Sequence, residues 1–172
     1  MEYTKLYEPY QMGKIVLKNR FLMAPMTRSR ASQPGDMPNK LMAEYYGQRA
    51  SAGIIITEAT QVSLQGKGYA KTPGIYTREQ IEGWKRITTE VHKNGGKIFL
   101  QLWHVGRVSS SKVNGLQPIA PSSKIAKNTN VYIFDGAPNG DATFVSVEKP
   151  KEMDEKDIQQ VIEEFRIGAK NA

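Results

Sequence analysis

The chain has 172 residues, enough for one domain with a hydrophobic core, and its 39% hydrophobic and 24% charged residues are typical of a globular protein. No apolar run reaches the roughly 18 residues of a membrane span, and the N-terminus lacks the order of a signal peptide, so we expect a cytoplasmic protein. There is no cysteine, which excludes disulfides and thiolate ligands, and with only His92 and His104 as histidines no metal site is predicted.

The net charge of +7 raises the question of a nucleic-acid partner. The lysines and arginines are scattered and form neither a block nor a recognisable binding motif, which favours a solvated basic surface. We therefore expect neither a nucleic-acid nor a membrane partner. Attraction for a phosphorylated ligand or a dinucleotide is a second interpretation of the same charge.

The first predicted unit is a strand followed by a helix. The apolar run RFLMAPMT, residues 20–27, predicts the strand. After a loop with Pro34 and Pro38, the segment NKLMAEYYGQRASAG pairs Leu41 with Tyr45 at helical spacing, and this pattern ends at Gly53.

The second unit shows the same order more clearly. GIIITEAT, residues 53–60, has the continuous β-branched run of a parallel strand covered on both faces. Thr77 and Gln80 then form a capping box before a helix with apolar positions at Ile81, Trp84, Ile87 and Val91, and Asn94-Gly95-Gly96 ends it.

A third strand, KIFLQLW (residues 97–103), follows directly and leads into a long connection over residues 106–153. Within the connection, VYIFDG and ATFVSV flank APNGD and predict a hairpin. From Asp154 a last helix begins, with one stripe formed by Ile158, Val161, Ile162, Phe165 and Ala169.

Strands that alternate with helices predict a parallel sheet with right-handed crossovers. Two architectures fit this order: an open doubly wound sheet and a (β/α)8 barrel. A dinucleotide-binding open sheet carries G-x-G-x-x-G after its first strand, and this sequence has no such motif. A barrel places its functional groups at the carboxyl ends of several strands.

The three predicted strands all change from apolar to hydrogen-bonding residues at that end. Strand one ends in Met26-Thr27, strand two in Thr57-Glu58-Ala59-Thr60, and strand three carries Gln101 and Trp103 on the face opposite its aliphatic residues. Together these side chains suit a flat, partly polar ring. Gln101 offers an amide, Thr27 a hydroxyl, Ala59 a small side chain and Trp103 an aromatic face. Taken singly, each of these residues also has a purely structural explanation.

Long segments of the chain resemble the old yellow enzyme family of FMN-dependent ene-reductases, also called NADH:flavin oxidoreductases. The resemblance rests on NRFLMAPMTRSRA, YYGQRASAGIIITEATQVS, GKGYAKTPGIYTREQIEGWK and FLQLWHVGR, and it runs from Leu6 to Ala172. The bacterial N-ethylmaleimide and pentaerythritol tetranitrate reductase branch is the most similar. The resemblance implies a (β/α)8 barrel in which residues 1–172 supply an N-terminal cap, about three βα units and the excursion over residues 106–153.

The resemblance also implies a cofactor, a reaction and residue roles. NAD(P)H would reduce FMN, and the reduced flavin would pass hydride to an activated alkene, such as an enone or a maleimide, or reduce a nitro compound. Tyr69, Trp103 and Thr27 would line the substrate pocket. Thr27 would also bond the flavin O4 and Gln101 would hold the pyrimidine edge, within a set of flavin contacts formed by Ala24, Pro25, Met26, Thr27, Ala59 and Gln101.

The substrate-binding His-x-x-Asn or His-x-x-His pair of that family and its phosphate site match no residue of this chain and would lie beyond Ala172. No catalytic residue is therefore predicted here, and the chain alone is expected to be inactive. We expect it to require the C-terminal half of the barrel, on the same or a separate chain. A fragment that acts only by association with such a half is the alternative.

Neither histidine of the chain matches the substrate-binding pair of the family. His92 is expected to face solvent, and His104 is expected to make a structural hydrogen bond.

Overall fold

The computed structural model describes residues 3–134 and 142–172 of the protein. It begins with a 3-10 turn at Thr4–Leu6 and a short antiparallel pair, β1 (Tyr10–Met12) and β2 (Ile15–Leu17). Gly13, between the two strands, has a φ of 57°, which a residue without a Cβ adopts at little cost. This pair precedes the main sheet and corresponds in position to the expected N-terminal cap.

The main sheet has three parallel strands in the order β3 (Leu22–Met23), β4 (Ile54–Gln61) and β5 (Ile98–Trp103). The isoleucine run enters β4 as predicted, and Ile54 and Ile55 are buried. The aliphatic face of β5 packs against the core, whereas Phe99 on its other face is 43% exposed. The predicted alternation of β5 is confirmed.

Two helices cover the aliphatic side of this sheet. Helix α1 (Lys40–Gly47) begins at Asn39, whose side chain accepts the N–H of Met42. Helix α2 (Arg78–Lys93) has the predicted capping box, because Thr77 accepts the N–H of Gln80 and the Gln80 side chain accepts the N–H of Thr77. The buried core between helices and sheet contains mainly Met42, Tyr46, Ile55, Val62, Ile75, Trp84, Ile87 and Val91.

The long connection forms small elements of its own. They are α3 (Ser111–Asn114), the parallel pair β6 (Ile119–Ala120) and β9 (Lys151–Glu152), and the antiparallel pair β7 (Asn130–Phe134) and β8 (Ala142–Ser146). The pairing of β7 with β8 confirms the predicted hairpin. Its loop, residues 135–141, lies outside the described residues.

Helix α4 (Glu155–Asn171) begins at Asp154 with a capping box that includes Asp157. Phe165 of the predicted stripe packs against the core. Gly168, one turn further along, is buried so close to the end of β4 that a Cβ there would lie 2.8 Å from a methyl group of Val62. Ile162 is 57% exposed, so only part of the stripe is covered. Over the described residues, none of the helices combines the length and the apolar character that a bilayer crossing needs.

Two predicted boundaries are wrong. The first strand was expected over residues 20–27, but regular pairing stops at Met23, because Pro25 has no N–H and cannot donate to a ladder. The first helix was expected to end at Gly53, but α1 ends at Gly47. Beyond it, Ala50 donates to Gly47 and Ala52 to Arg49, so the chain turns toward β4 through i to i+3 bonds.

Candidate functional site

The candidate site lies at the carboxyl edge of the three parallel strands. Parallel strands end at the same edge, so the segment 24–27 after β3, Ala59 near the end of β4, and the Gln101–Trp103 end of β5 lie there together. Segment 24–27 is exposed, while Ala59 and Gln101 are half-buried. In a (β/α)8 barrel, the architecture expected from the sequence, this edge carries the functional groups.

A bulge in β4 sets the pairing of Ala59 with Gln101. Ile56 is the partner of Phe99 and Ala59 is the partner of Gln101, so Thr57 and Glu58 stand opposite the single residue Leu100. The extra residue turns Ala59 to the same face as Gln101. The amide of Gln101, which can both donate and accept, therefore stands beside a residue too small to cover it.

An aromatic pair stands next to this amide. The rings of Tyr69 and Trp103 stack with centroids 5.6 Å apart and planes 19° apart. Trp103 lies two residues beyond Gln101 on the same strand, and Tyr69 lies in the loop between β4 and α2. The structure thus brings together two residues that are far apart in sequence and that were both predicted to line one pocket.

The segment with Thr27 is fixed through its neighbour. The backbone N–H of Arg28 donates to Oε2 of Glu58 at 3.1 Å. Glu58 directly precedes Ala59 and is 1% exposed. Thr27, which is itself exposed, is therefore one residue away from a bond to the strand that carries Ala59.

Sequence reasoning did not identify Glu58 and its partner Tyr46 as part of this arrangement. The Tyr46 hydroxyl donates to Oε1 of Glu58 at 3.2 Å and accepts the backbone N–H of Glu58 at 2.9 Å. Burial raises the pKa of the Glu58 carboxyl, and burial together with the charge of Glu58 raises the pKa of the Tyr46 phenol. A glutamate inside an otherwise apolar strand pattern was the available signal.

The two histidines differ in environment. His92 is exposed near the end of α2. His104 follows Trp103, and its Nδ1 accepts the backbone N–H of Gly106 at 3.0 Å, so the ring has the structural hydrogen bond that was expected. Since Nδ1 is an acceptor, the neutral ring carries its proton on Nε2. Burial lowers the pKa of His104 below the ordinary value of 6.5, against a smaller opposing effect of Glu164.

This burial predicts a pH dependence of stability. Between the lowered pKa of His104 in the folded chain and the ordinary value of 6.5, the unfolded chain binds more protons than the folded chain. The free energy of unfolding should therefore rise with pH across that window. As the pH falls through the same window, the stability contributed by the neutral His104 should be lost. In urea titrations from about pH 5 to 8, His104→Asn, which keeps an acceptor for Gly106, should flatten this rise. His92→Asn is the matched control and should keep the wild-type profile; equal profiles for all three proteins would contradict the prediction.

Comparison with known proteins gives a consistent picture. Residues 5–172 match the NADH:flavin oxidoreductase / NADH oxidase family. Among curated proteins, 12-oxophytodienoate reductase 1 of Oryza sativa subsp. japonica is 41% identical over 97% of this chain and 41% of its own length.

Among solved structures, morphinone reductase is 44% identical with a TM-score of 0.91, over 97% of this chain and 44% of its own. The old yellow enzyme homologue from Zymomonas mobilis is 40% identical with a TM-score of 0.89, over 98% of this chain and 45% of its own. These structures are (β/α)8 barrels, and this chain has the fold of their N-terminal part. The chain spans between two-fifths and one-half of the length of the relatives it matches.

Proposed function

Since the chain belongs to the NADH:flavin oxidoreductase / NADH oxidase family, the old yellow enzymes, we propose that it is the N-terminal part of an FMN-dependent ene-reductase. Its substrates would be activated alkenes, such as enones and maleimides, or nitro compounds, with NAD(P)H as the reductant. The observation that carries the proposal is the Gln101 amide, held beside Ala59 at a bulge and two residues from the stacked Trp103.

The chemistry of the side chains at the strand ends supports the proposal that they bind the ring of FMN. A flavin pyrimidine edge presents carbonyl oxygens and an N–H, which one amide can match with its own donor and acceptor, as Gln101 offers. Thr27 supplies a hydroxyl for a ring carbonyl, and Ala59 leaves room for a flat ring against β4. Ala24, Pro25 and Met26, which are exposed and follow β3 at the same edge, would complete the contacts.

FMN, when bound, would supply the hydride chemistry between NAD(P)H and the substrate. The residues of this chain would bind and orient. Gln101 and Thr27 would fix the ring by hydrogen bonds, and the aromatic faces of Tyr69 and Trp103 would hold a flat substrate and exclude water. A nicotinamide reductant is supported by the solved complex of the related morphinone reductase with tetrahydroNAD.

A second candidate is favoured by apolar surface at the open sides of the sheet. Leu22 on β3 is 58% exposed, Phe99 on β5 is 43% exposed and Ile162 on α4 is 57% exposed. A (β/α)8 barrel covers such positions with its further strands and helices. On this alternative the chain acts only by association with a polypeptide that supplies those units.

One experiment tests the proposal and separates it from the alternative. The polypeptide is purified as its cells make it, its visible spectrum is recorded with and without added FMN, and its partners are identified by sedimentation and intact mass. We expect flavin absorbance, and we expect Gln101→Leu to raise the dissociation constant of FMN about tenfold, since hydrogen bonds to the ring edge are lost. Gln48→Leu, at the exposed end of α1, is the matched control and should bind FMN as the wild type does.

A colourless protein that takes up no FMN would end the proposal. If that colourless protein sediments with a second polypeptide, the association alternative is supported. If it is a stable folded monomer, the alternative is contradicted as well.

A further inference from the structure

The bulge in β4 does more than turn Ala59. It directs two consecutive side chains, Thr57 and Glu58, to the buried side of the strand, and each of them accepts a backbone N–H from a different neighbouring segment. We propose that Thr57 and Glu58 are positioning residues that hold the two outer walls of the flavin site, the Gln101 backbone and the Thr27 segment, at a fixed distance from Ala59. This inference rests on the proposed function.

Thr57 holds the β5 side. At a bulge the regular ladder of backbone hydrogen bonds is locally disrupted, and side chains can supply further bonds between the strands. Here the N–H of Gln101 donates to Oγ1 of Thr57 at 3.0 Å, and the Thr57 hydroxyl in turn donates to the carbonyl of Glu58 at 3.0 Å. Thr57 is 1% exposed, so water cannot replace its oxygen. A buried side-chain hydroxyl of β4 thus binds the Gln101 backbone directly, in addition to the pairing of Gln101 with Ala59.

Glu58 holds the β3 side. Its two carboxylate oxygens accept from two donors, the backbone N–H of Arg28 and the hydroxyl of Tyr46. Tyr46 is fully buried and also accepts the N–H of Glu58, so the carboxylate cannot rotate away without breaking a closed set of bonds. Segment 24–27 lies outside the ladder, so this bond to Arg28 ties its end to β4.

A nearby residue shows what an ordinary buried threonine does on the same strand. Thr60 is fully buried, and its hydroxyl donates to the carbonyl of Glu58 at 3.0 Å, as that of Thr57 does. The difference is the additional bond from Thr57 to the backbone of the next strand. Thr60→Val therefore removes a buried hydroxyl of the same kind without touching Gln101, and it is the matched control for Thr57→Val.

The test has two readouts in the same natural polypeptide. Amide hydrogen exchange, measured by NMR before FMN is added, reports on the backbone alone. Thr57→Val should accelerate exchange at Gln101 about tenfold and leave Arg28 unchanged. Glu58→Gln should accelerate exchange at Arg28 and leave Gln101 unchanged, because the amide offers one acceptor oxygen where the carboxylate offers two, for Arg28 and Tyr46. Thr57→Ser, which keeps the hydroxyl, should restore the wild-type rate at Gln101, and it carries the test if the valine variant does not fold.

The second readout is the dissociation constant of FMN, from the quenching of flavin fluorescence. Thr57→Val and Glu58→Gln should each raise it about five- to tenfold, while Thr57→Ser and Thr60→Val stay near the wild type. Faster exchange with unchanged FMN affinity would overturn the positioning role and leave the proposed function standing. Equal losses in Thr60→Val and Thr57→Val would also overturn it. A wild type that binds no FMN overturns the proposed function, and the inference with it.

Discussion

Gly53→Ala is expected to lower the free energy of unfolding by about 3 kcal/mol, because overpacking a close backbone contact forces a shift of the chain. A Cβ on Gly53 would collide with the backbone carbonyl oxygen of Asn19 and lie 3.0 Å from its carbonyl carbon. The obstacle cannot move aside easily. Oδ1 of Asn19 accepts the N–H of Phe21, its Nδ2 donates to Ser51, and Gly53 itself donates to Phe21.

The measurement is thermal or urea unfolding, with a drop in melting temperature of roughly 6–12 °C for a domain of this size. Gly47→Ala is the control. There a Cβ would lie 2.8 Å from the side chain of Glu90, which is flexible and can move, and alanine favours the helix. If the two substitutions destabilise equally, the close approach of Gly53 to Asn19 is not the cause.

The elements that could be predicted were those whose own sequence specifies them. The isoleucine run of β4, the capping box at Thr77 and Gln80, and the alternation of β5 each rest on neighbouring residues. The end of β3 could not be predicted in the same way. Residues 20–27 are apolar enough for a strand, but pairing depends on a partner strand and on the missing N–H of Pro25.

For the candidate site, too, only those features that depend on neighbouring residues could be predicted. Residue type and position along the strands were enough to select Thr27, Ala59, Gln101 and Trp103 as candidates. The bulge was hidden, because a shift of one residue against a neighbouring strand depends on pairing between two distant segments. For that reason the contacts of Thr57 and Glu58, the two residues at the bulge, could not be predicted, and both residues were interpreted as part of an ordinary polar strand end.

Asp36→Asn is expected to cost about 3–5 kcal/mol of stability, since it leaves a buried ammonium without its counter-charge. Lys67 Nζ lies 2.7 Å from Oδ1 of Asp36, and the two side chains are only 10% and 4% exposed. Asp36 lies in the loop between β3 and α1, and Lys67 in the loop between β4 and α2 that also carries Tyr69. The pair therefore joins two loops at the edge of the sheet where the candidate site lies.

Asparagine suits this position in other respects. Asp36 has a φ of 52°, a conformation that asparagine tolerates, and Gln33 Nε2, which donates to Oδ1 at 2.8 Å, can still donate to an amide oxygen. The loss would therefore arise from the charge rather than from shape or backbone. Lys67→Met in the Asp36→Asn background should recover part of the stability, because it removes the unpaired ion.

An exposed ion pair provides the comparison. Arg166 and Glu163 on α4 are 2.6 Å apart, closer than the buried pair, but their side chains are 63% and 50% exposed. Water solvates both partners when the pair is broken, so Glu163→Gln should leave urea unfolding nearly unchanged. An Asp36→Asn variant as stable as the Glu163→Gln variant would show that burial does not make the Lys67 pair critical. The larger loss, accompanied by faster exchange in the loop around Tyr69, would show that this pair holds the aromatic wall of the site in place.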